Sequence, residues 1–252
     1  MKLITILFLV LNSINLIHSQ NLKAKVTYRA TLNTNSYLER LNKDTLMPTF
    51  RKEHWVKRAN DAVPTNFHLF FNGNESLYKA EYDLMTSKRL GLLMNQTASV
   101  GRQDFVYYTN IETKEKFYQS FLTKEILVNL NSVNWKLTQE TKKIGNYTCY
   151  KAIADLDSQN IPQMKLIGPV VAWFTPEIPT PFGIQNFNGL PGLTLELIAE
   201  YDKGKIFYTA TKIELNPEEE IKIKKPKGKN VSEQEYIALI ERLNNARNGQ
   251  RQ

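Results

Sequence analysis

Cysteine is nearly missing from this chain. Cys149 stands alone among 252 residues, so no intramolecular disulfide and no cysteine-built metal site can form. Histidine is almost as scarce, with His18, His54 and His68 only. No His-Glu-x-x-His spacing, no Gly-x-Ser-x-Gly and no phosphate-binding Gly-x-x-x-x-Gly-Lys-Ser/Thr occurs. These gaps leave little room for zinc chemistry, for a serine or cysteine nucleophile with a His partner, or for nucleotide hydrolysis. No catalytic residue, metal ligand or cofactor is assigned. A single Cys149 between Tyr147-Thr148 and Tyr150 reads as an inert buried side chain. A carboxylate pair assembled in space is the one enzymatic device this inventory leaves open.

Long apolar runs are also scarce, and the only one lies at the start. Met1-Lys2 precedes Leu3 to Leu11, followed by a more polar stretch ending Ile17-His18-Ser19-Gln20. One basic residue, a short apolar core and a small residue before a polar start describe a secretory signal peptide, 1–19. The run is shorter than the roughly 20 residues that span a bilayer, and no transmembrane segment follows. The expected address is the periplasm or the cell surface of a bacterium. A secreted eukaryotic protein of this size usually carries disulfides. In a bacterium the four sequons beginning at Asn74, Asn95, Asn146 and Asn230 carry no meaning.

What remains is a basic chain of net charge +8 with strong period-two patterning. Ala24, Val26, Tyr28, Ala30 and Leu32 alternate with Lys23, Lys25, Thr27, Arg29 and Thr31, which predicts a half-buried strand. Ser36 to Asn66 breaks that period and reads as an insertion with two short helices, the first capped by Ser36-x-x-Glu39, the second near Arg51 to Ala59. Hairpins follow: 67–71 with 77–82 around Asn72-Gly73-Asn74, 105–109 with 116–122 and then 126–129, 135–141 with 147–155 around Gly145-Asn146. Residues 164–174, 193–201 and 206–215 complete eleven strand-like runs, the last two joined by Asp202-Lys203-Gly204-Lys205. Residues 83–101 read as a loop or short helix. Consecutive hairpins without helix alternation imply an all-β fold: one large, twisted antiparallel sheet curling toward a half-barrel.

The end of the chain differs. Residues 218–229, with three glutamates and then Lys222, Lys224, Lys225, Lys227 and Lys229, read as a solvated linker. The functional alternative for that basic run is an anionic lipid surface, nucleic acid being excluded by the expected export. Ser232 and Glu235 form a capping box, Val231 and Tyr236 a hydrophobic staple, and Tyr236, Leu239, Ile240, Leu243 and Ala246 recur at helical spacing before Gly249. An amphipathic C-terminal helix packed on the same domain is expected. The organisation is thus 1–19, 20–217 and 218–252, with a single folded domain.

The least regular stretch runs from Trp173 through Pro176, Pro179 and Pro181 to Gly189-Leu190-Pro191-Gly192-Leu193-Thr194. Three prolines forbid regular structure, and Pro191-Gly192 suits a type II turn with Gly192 at positive φ. A rigid aromatic loop of this length is either a binding element or a structural plug. As a binding element it would offer Trp173, Glu177, Phe182, Phe187 and Leu190 as a rim. Leu193, Leu195 and Leu197 should face the interior.

Gly189 to Thr194 resembles the signature of the GLPGLI family of exported Bacteroidota proteins, with Thr194 where the family has Ile. Trp173 to Pro179 and Gly145 to Ala152 resemble its flanking segments. The resemblance implies export, one β-rich domain and no assigned activity; Gly189, Pro191 and Gly192 are its structural residues. The Thr suggests a side chain not deeply buried among apolar groups. The expected function is therefore non-enzymatic: an envelope binding or accessory protein that holds an apolar or anionic ligand, or a segment of an outer-membrane or cell-surface partner, on a concave sheet. A secreted enzyme and a structural subunit of the cell surface are the alternatives.

Overall fold

The computed structural model describes residues 22–81, 95–155 and 166–249; the expected signal peptide lies outside them, as do most of 83–101 and the start of the 164–174 run. Twelve strands form one sheet. In chain order they are β1 (Lys23–Asn33), β2 (Thr65–Asn72), β3 (Glu75–Ala80), β4 (Phe105–Asn110), β5 (Glu115–Ser120), β6 (Ile126–Asn129), β7 (Asn134–Ile144), β8 (Tyr147–Asp155), β9 (Val170–Thr175), β10 (Leu193–Tyr201), β11 (Gly204–Leu215) and β12 (Lys229–Val231). Among the described residues four α-helices accompany them: α1 (Asn35–Lys43), α2 (Thr49–Asn60), α3 (Gln96–Val100) and α4 (Glu233–Gly249). None of the described helices is long and apolar enough to cross a membrane.

The spatial order β12-β6-β5-β4-β3-β2-β1-β11-β10-β9-β8-β7 places β1 near the middle. Every pairing is antiparallel except β12 on β6. The connectivity forces the curl. β6 and β7 sit ten strand spacings apart, roughly 48 Å across a flat sheet. Yet Asn129 ends one and Asn134 begins the other, five Cα steps that reach at most about 19 Å. The sheet must bend until its two margins approach, and it does so without closing into a barrel.

Alternation decides what the curl encloses. Ala24, Val26, Tyr28 and Ala30 are fully buried on the inner face of β1, as expected, with Phe67, Leu69 and Phe71 beside them on β2. Turn glycines carry positive φ where the hairpins demand it, at Gly73 (59°) and Gly145 (57°).

Three expectations need correction. Helix α1 begins at Asn35 with Thr34 at its N-cap and no side-chain capping bond, so Ser36 and Glu39 lie inside the helix and form no capping box. The charged stretch 218–229 is a strap, not a free linker. Ile221 and Ile223 turn inward, Ile223 onto an outer-face cluster of Tyr108, Phe117 and Leu127, while Lys222 and Lys224 stay exposed. Asn72 Nδ2 donates to the Ile221 carbonyl at 3.1 Å and Gln119 Nε2 to that of Lys227 at 2.8 Å, and the strap ends as β12. Finally, α4 is capped by Ser232 and Glu235 as expected, with Glu235 N donating to Ser232 Oγ (3.2 Å) and Ser232 N to Glu235 Oε2 (2.7 Å). It packs only by its first turns. Tyr236 is buried edge-on against Tyr118, whereas Leu243 and Ala246 are exposed.

Candidate functional site

Residues 176–192 leave β9 and return as β10, and they fill the curl. Ile178, Phe182, Ile184, Phe187 and Leu190 are all buried. Their contacts reach strands spread around the sheet. Phe182 packs on Phe71 of β2 at 5.6 Å and Phe187 on Trp135 of β7 at 6.4 Å. Gln185 Nε2 donates to Tyr208 Oη of β11 (2.9 Å) and to the Gly101 carbonyl (3.1 Å). Asn188 joins opposite sides: its Nδ2 donates to Thr109 Oγ1 of β4 (3.2 Å), its carbonyl accepts from Trp135 Nε1 of β7 (2.9 Å), and its Oδ1 accepts from Gly183 N (2.7 Å). The buried backbone and amide groups are thereby paired, which a polar loop inside an apolar curl requires.

The five rim candidates therefore part company. Phe182, Phe187 and Leu190 belong to the core and offer no accessible rim. Glu177 is exposed and accepts from Thr148 N at 2.8 Å. Trp173 lies on the opposite, outer face of β9, partly buried, with Lys142 Nζ 4.4 Å from its ring centroid.

Among the motif residues the positive φ falls on Gly189 (97°), in open space, and not on Gly192. Gly192 is required for another reason: a Cβ there would stand 2.1 Å from the Thr175 carbonyl oxygen. Pro191 is exposed at the turn between them. Leu193, Leu195 and Leu197 face the interior, but Thr194 is buried as well, 1% exposed. The bulge between Thr194 and Glu196 explains this: one extra residue breaks the strict alternation.

An open concavity among the described residues lies elsewhere, where the sheet splits. β3 and β4 pair from Glu75 opposite Asn110 to Tyr78 opposite Tyr107, and the pairing stops. β3 stays with β2 as far as Ala80, and β4 with β5 back to Phe105. The two strands diverge around a groove of about 450 Å³, lined by Lys79, Glu81, Asp104, Phe105, Phe121 and Lys124 among others. Strand edges that end a ladder this way offer backbone donors and acceptors to an added segment. Burial pushes the Asp104 carboxyl above its ordinary range, against the opposing pull of the Arg102 guanidinium. Burial likewise raises the Glu233 carboxyl, again countered by Arg102. Sequence reasoning missed this groove, because the point where two strands cease to pair belongs to neither strand alone.

The remaining reactive groups are separated. Cys149 is buried, and desolvation raises its thiol to about 11, which removes the thiolate a nucleophile needs. His54 is on α2. His68 is on β2, where Nδ1 meets Thr27 Oγ1 at 3.1 Å, and burial lowers its pKa despite the Glu81 carboxylate at 3.6 Å. No group of three or more His, Cys, Asp or Glu side chains suited to a metal ion occurs among the described residues.

Comparison with known proteins agrees with this geometry at the level of fold. A structure of PNGF-II in the P21 space group superposes with a TM-score of 0.51 at 15% identity, over 86% of this chain and 33% of that one. The corresponding C2 structure gives 0.49 at 14% identity, over 83% and 31%. The chain spans about a third of the length of these solved chains. None of the curated proteins matches it. A family described as a protein of unknown function (Porph_ging) matches residues 135–165 and 157–196, the part of the chain that runs from β7 through the buried loop into β10.

Proposed function

We propose that this chain is an exported, non-enzymatic binding or accessory protein of a bacterial envelope, of the GLPGLI type. It holds a segment of an outer-membrane or cell-surface partner at the groove between β3 and β4. One observation carries the reading: the two strands part beyond Tyr78 and Tyr107 beside a curl already filled by residues 176–192. The expected place for a ligand, inside the concave sheet, is taken by the chain's own core. The split instead combines open strand edges with aromatic and charged side chains, the combination by which an extended segment is bound through its backbone and selected through its side chains.

A second reading is a secreted enzyme, favoured by the raised carboxyls of Asp104 and Glu233 around the common Arg102. One experiment separates the two. A photo-crosslinking residue at Val106, which lines the groove, should capture one recurrent envelope protein. The same residue at Thr211, exposed on β11, should not. The crosslinker-bearing chain in that adduct should begin at or near Gln20. Asp104→Asn should leave the adduct in place; loss of a turnover activity in that variant would favour the enzyme. Equal labelling from both positions would remove the groove from the proposal, and an intact Met1 on envelope protein would remove the export.

A further inference from the structure

Among the described residues, the apolar side chains most exposed to water lie at one end of the strands. Leu46, Leu122 and Phe50 are 94%, 81% and 70% exposed. The topology puts them at the same end of the sheet, four strands apart: Leu46 and Phe50 lie between the end of β1 and the start of β2, and Leu122 lies between the end of β5 and the start of β6. In an antiparallel sheet these connections share an end. Scattered exposed leucines need no explanation; the three most exposed on one end do.

The tip that carries Leu46 and Phe50 is built to hold them out. Asp44 Oδ1 accepts from the backbone N–H of both Leu46 (2.9 Å) and Met47 (3.0 Å), which locks the turn after α1. Pro48 then starts α2, its carbonyl accepting from Arg51 N and Lys52 N. The hairpin is fixed to the body at its base. Leu41 and Ala59 are buried, Thr34 Oγ1 donates to the Ala59 carbonyl, and the Arg40 guanidinium donates to the Asp202 carbonyl. Between positions 43 and 53 the bases are Lys43, Arg51 and Lys52 and the acids Asp44 and Glu53, of which Asp44 is engaged by the turn it caps. The Arg51 guanidinium lies 6.0 Å from the Phe50 ring centroid.

From this arrangement we infer that the α1–α2 tip is a docking wedge for a lipid bilayer with anionic headgroups. Leu46 and Phe50 enter the boundary between headgroups and acyl chains, and Lys43, Arg51 and Lys52 face the lipid phosphates. The make-up of the tip favours the bilayer over a protein partner: a specific protein interface buries about 800 Å² on each side, whereas the tip offers two strongly exposed apolar side chains, Leu46 and Phe50, beside the exposed Lys43 and Arg51. The inference is independent of the groove.

The test uses the chain from Gln20 to Gln252, which holds every described strand and helix, and vesicles of phosphatidylcholine with or without phosphatidylglycerol. Co-sedimentation is expected with the mixed vesicles, weakening as salt rises, and little with phosphatidylcholine alone. Leu46→Ser with Phe50→Ser should reduce partitioning about tenfold or more at an unchanged melting temperature, because both side chains are exposed. Lys43→Glu with Arg51→Glu should abolish the preference for phosphatidylglycerol. Full binding by the Leu46/Phe50 variant, loss only on Leu122→Ser, or wild-type protein that ignores both vesicles would overturn the wedge. Tip-dependent capture of an acidic protein without vesicle binding would overturn it in favour of a protein partner.

Discussion

Gly192→Ala is expected to destabilise the protein by about 3 kcal/mol or more, at or above the upper end of the usual cost of overpacking. The added methyl would meet the Thr175 carbonyl oxygen at 2.1 Å, its carbon at 2.6 Å and Pro176 Cα at 2.8 Å. All three are main chain, so no rotamer change gives relief. The neighbouring strands cannot step aside cheaply, because Leu193 pairs with Thr175 at the head of the β9–β10 ladder and Leu193 N donates to the Ile178 carbonyl at 2.9 Å. Gly189→Ala provides the control. Its methyl meets nothing, and its cost is that of a non-glycine residue held at φ 97°, about 1–3 kcal/mol. Urea midpoints of the two variants at an unchanged slope measure both. A Gly192→Ala protein as stable as wild type would mean that the strand entering after the loop does not approach Thr175 this closely.

The sequence places the need for glycine correctly at Gly192 but gives it the wrong cause: the positive φ belongs to Gly189, and Gly192 is held by the close approach of Thr175. Pro191-Gly192 suits a type II turn on local grounds, but the approach of Thr175 to Gly192 joins positions 17 apart and has no local signature. The same division runs through the molecule. Strand β1 was legible because its own alternation records which face is buried, and α4 because Ser232 and Glu235 meet within one turn. The strap was readable in principle, since Ile221 and Ile223 alternate with Lys222 and Lys224, but four positions of period two were hidden by the surrounding charge. The aromatic residues of the loop could not be assigned to inside or outside at all. A loop has no period, so Phe182 and Phe187 give the same sequence signal whether they line a rim or fill a core. The groove depends on where β3 and β4 stop pairing, which only the assembled sheet determines.

That ambiguity in the loop gives the other large effect. Phe182→Ala is expected to cost about 4 kcal/mol, within the usual range for truncating a buried aromatic, and to lower the melting temperature by roughly 10 °C for a domain of this size. Phe182 is 2% exposed and packs against Phe71 on β2, while the loop around it is hydrogen-bonded to β4, β7 and β11. Polar ties of this kind limit how far the loop can settle into the space left behind, and a cavity that cannot collapse is the costly kind. Trp173→Ala should cost only about 1–2 kcal/mol although its ring is larger. The side chain is partly exposed on the outer face, where it loses its contact with Lys142 and part of its apolar burial without opening the curl. The ordering of the two variants decides what residues 176–192 are for. A loop that plugs the curl makes Phe182 the expensive truncation and leaves the Val106 adduct unchanged in the Trp173 variant. A loop that opens to receive a ligand would tolerate Phe182→Ala at nearly wild-type melting temperature, and the binding surface would then return from the split between β3 and β4 to the concave face.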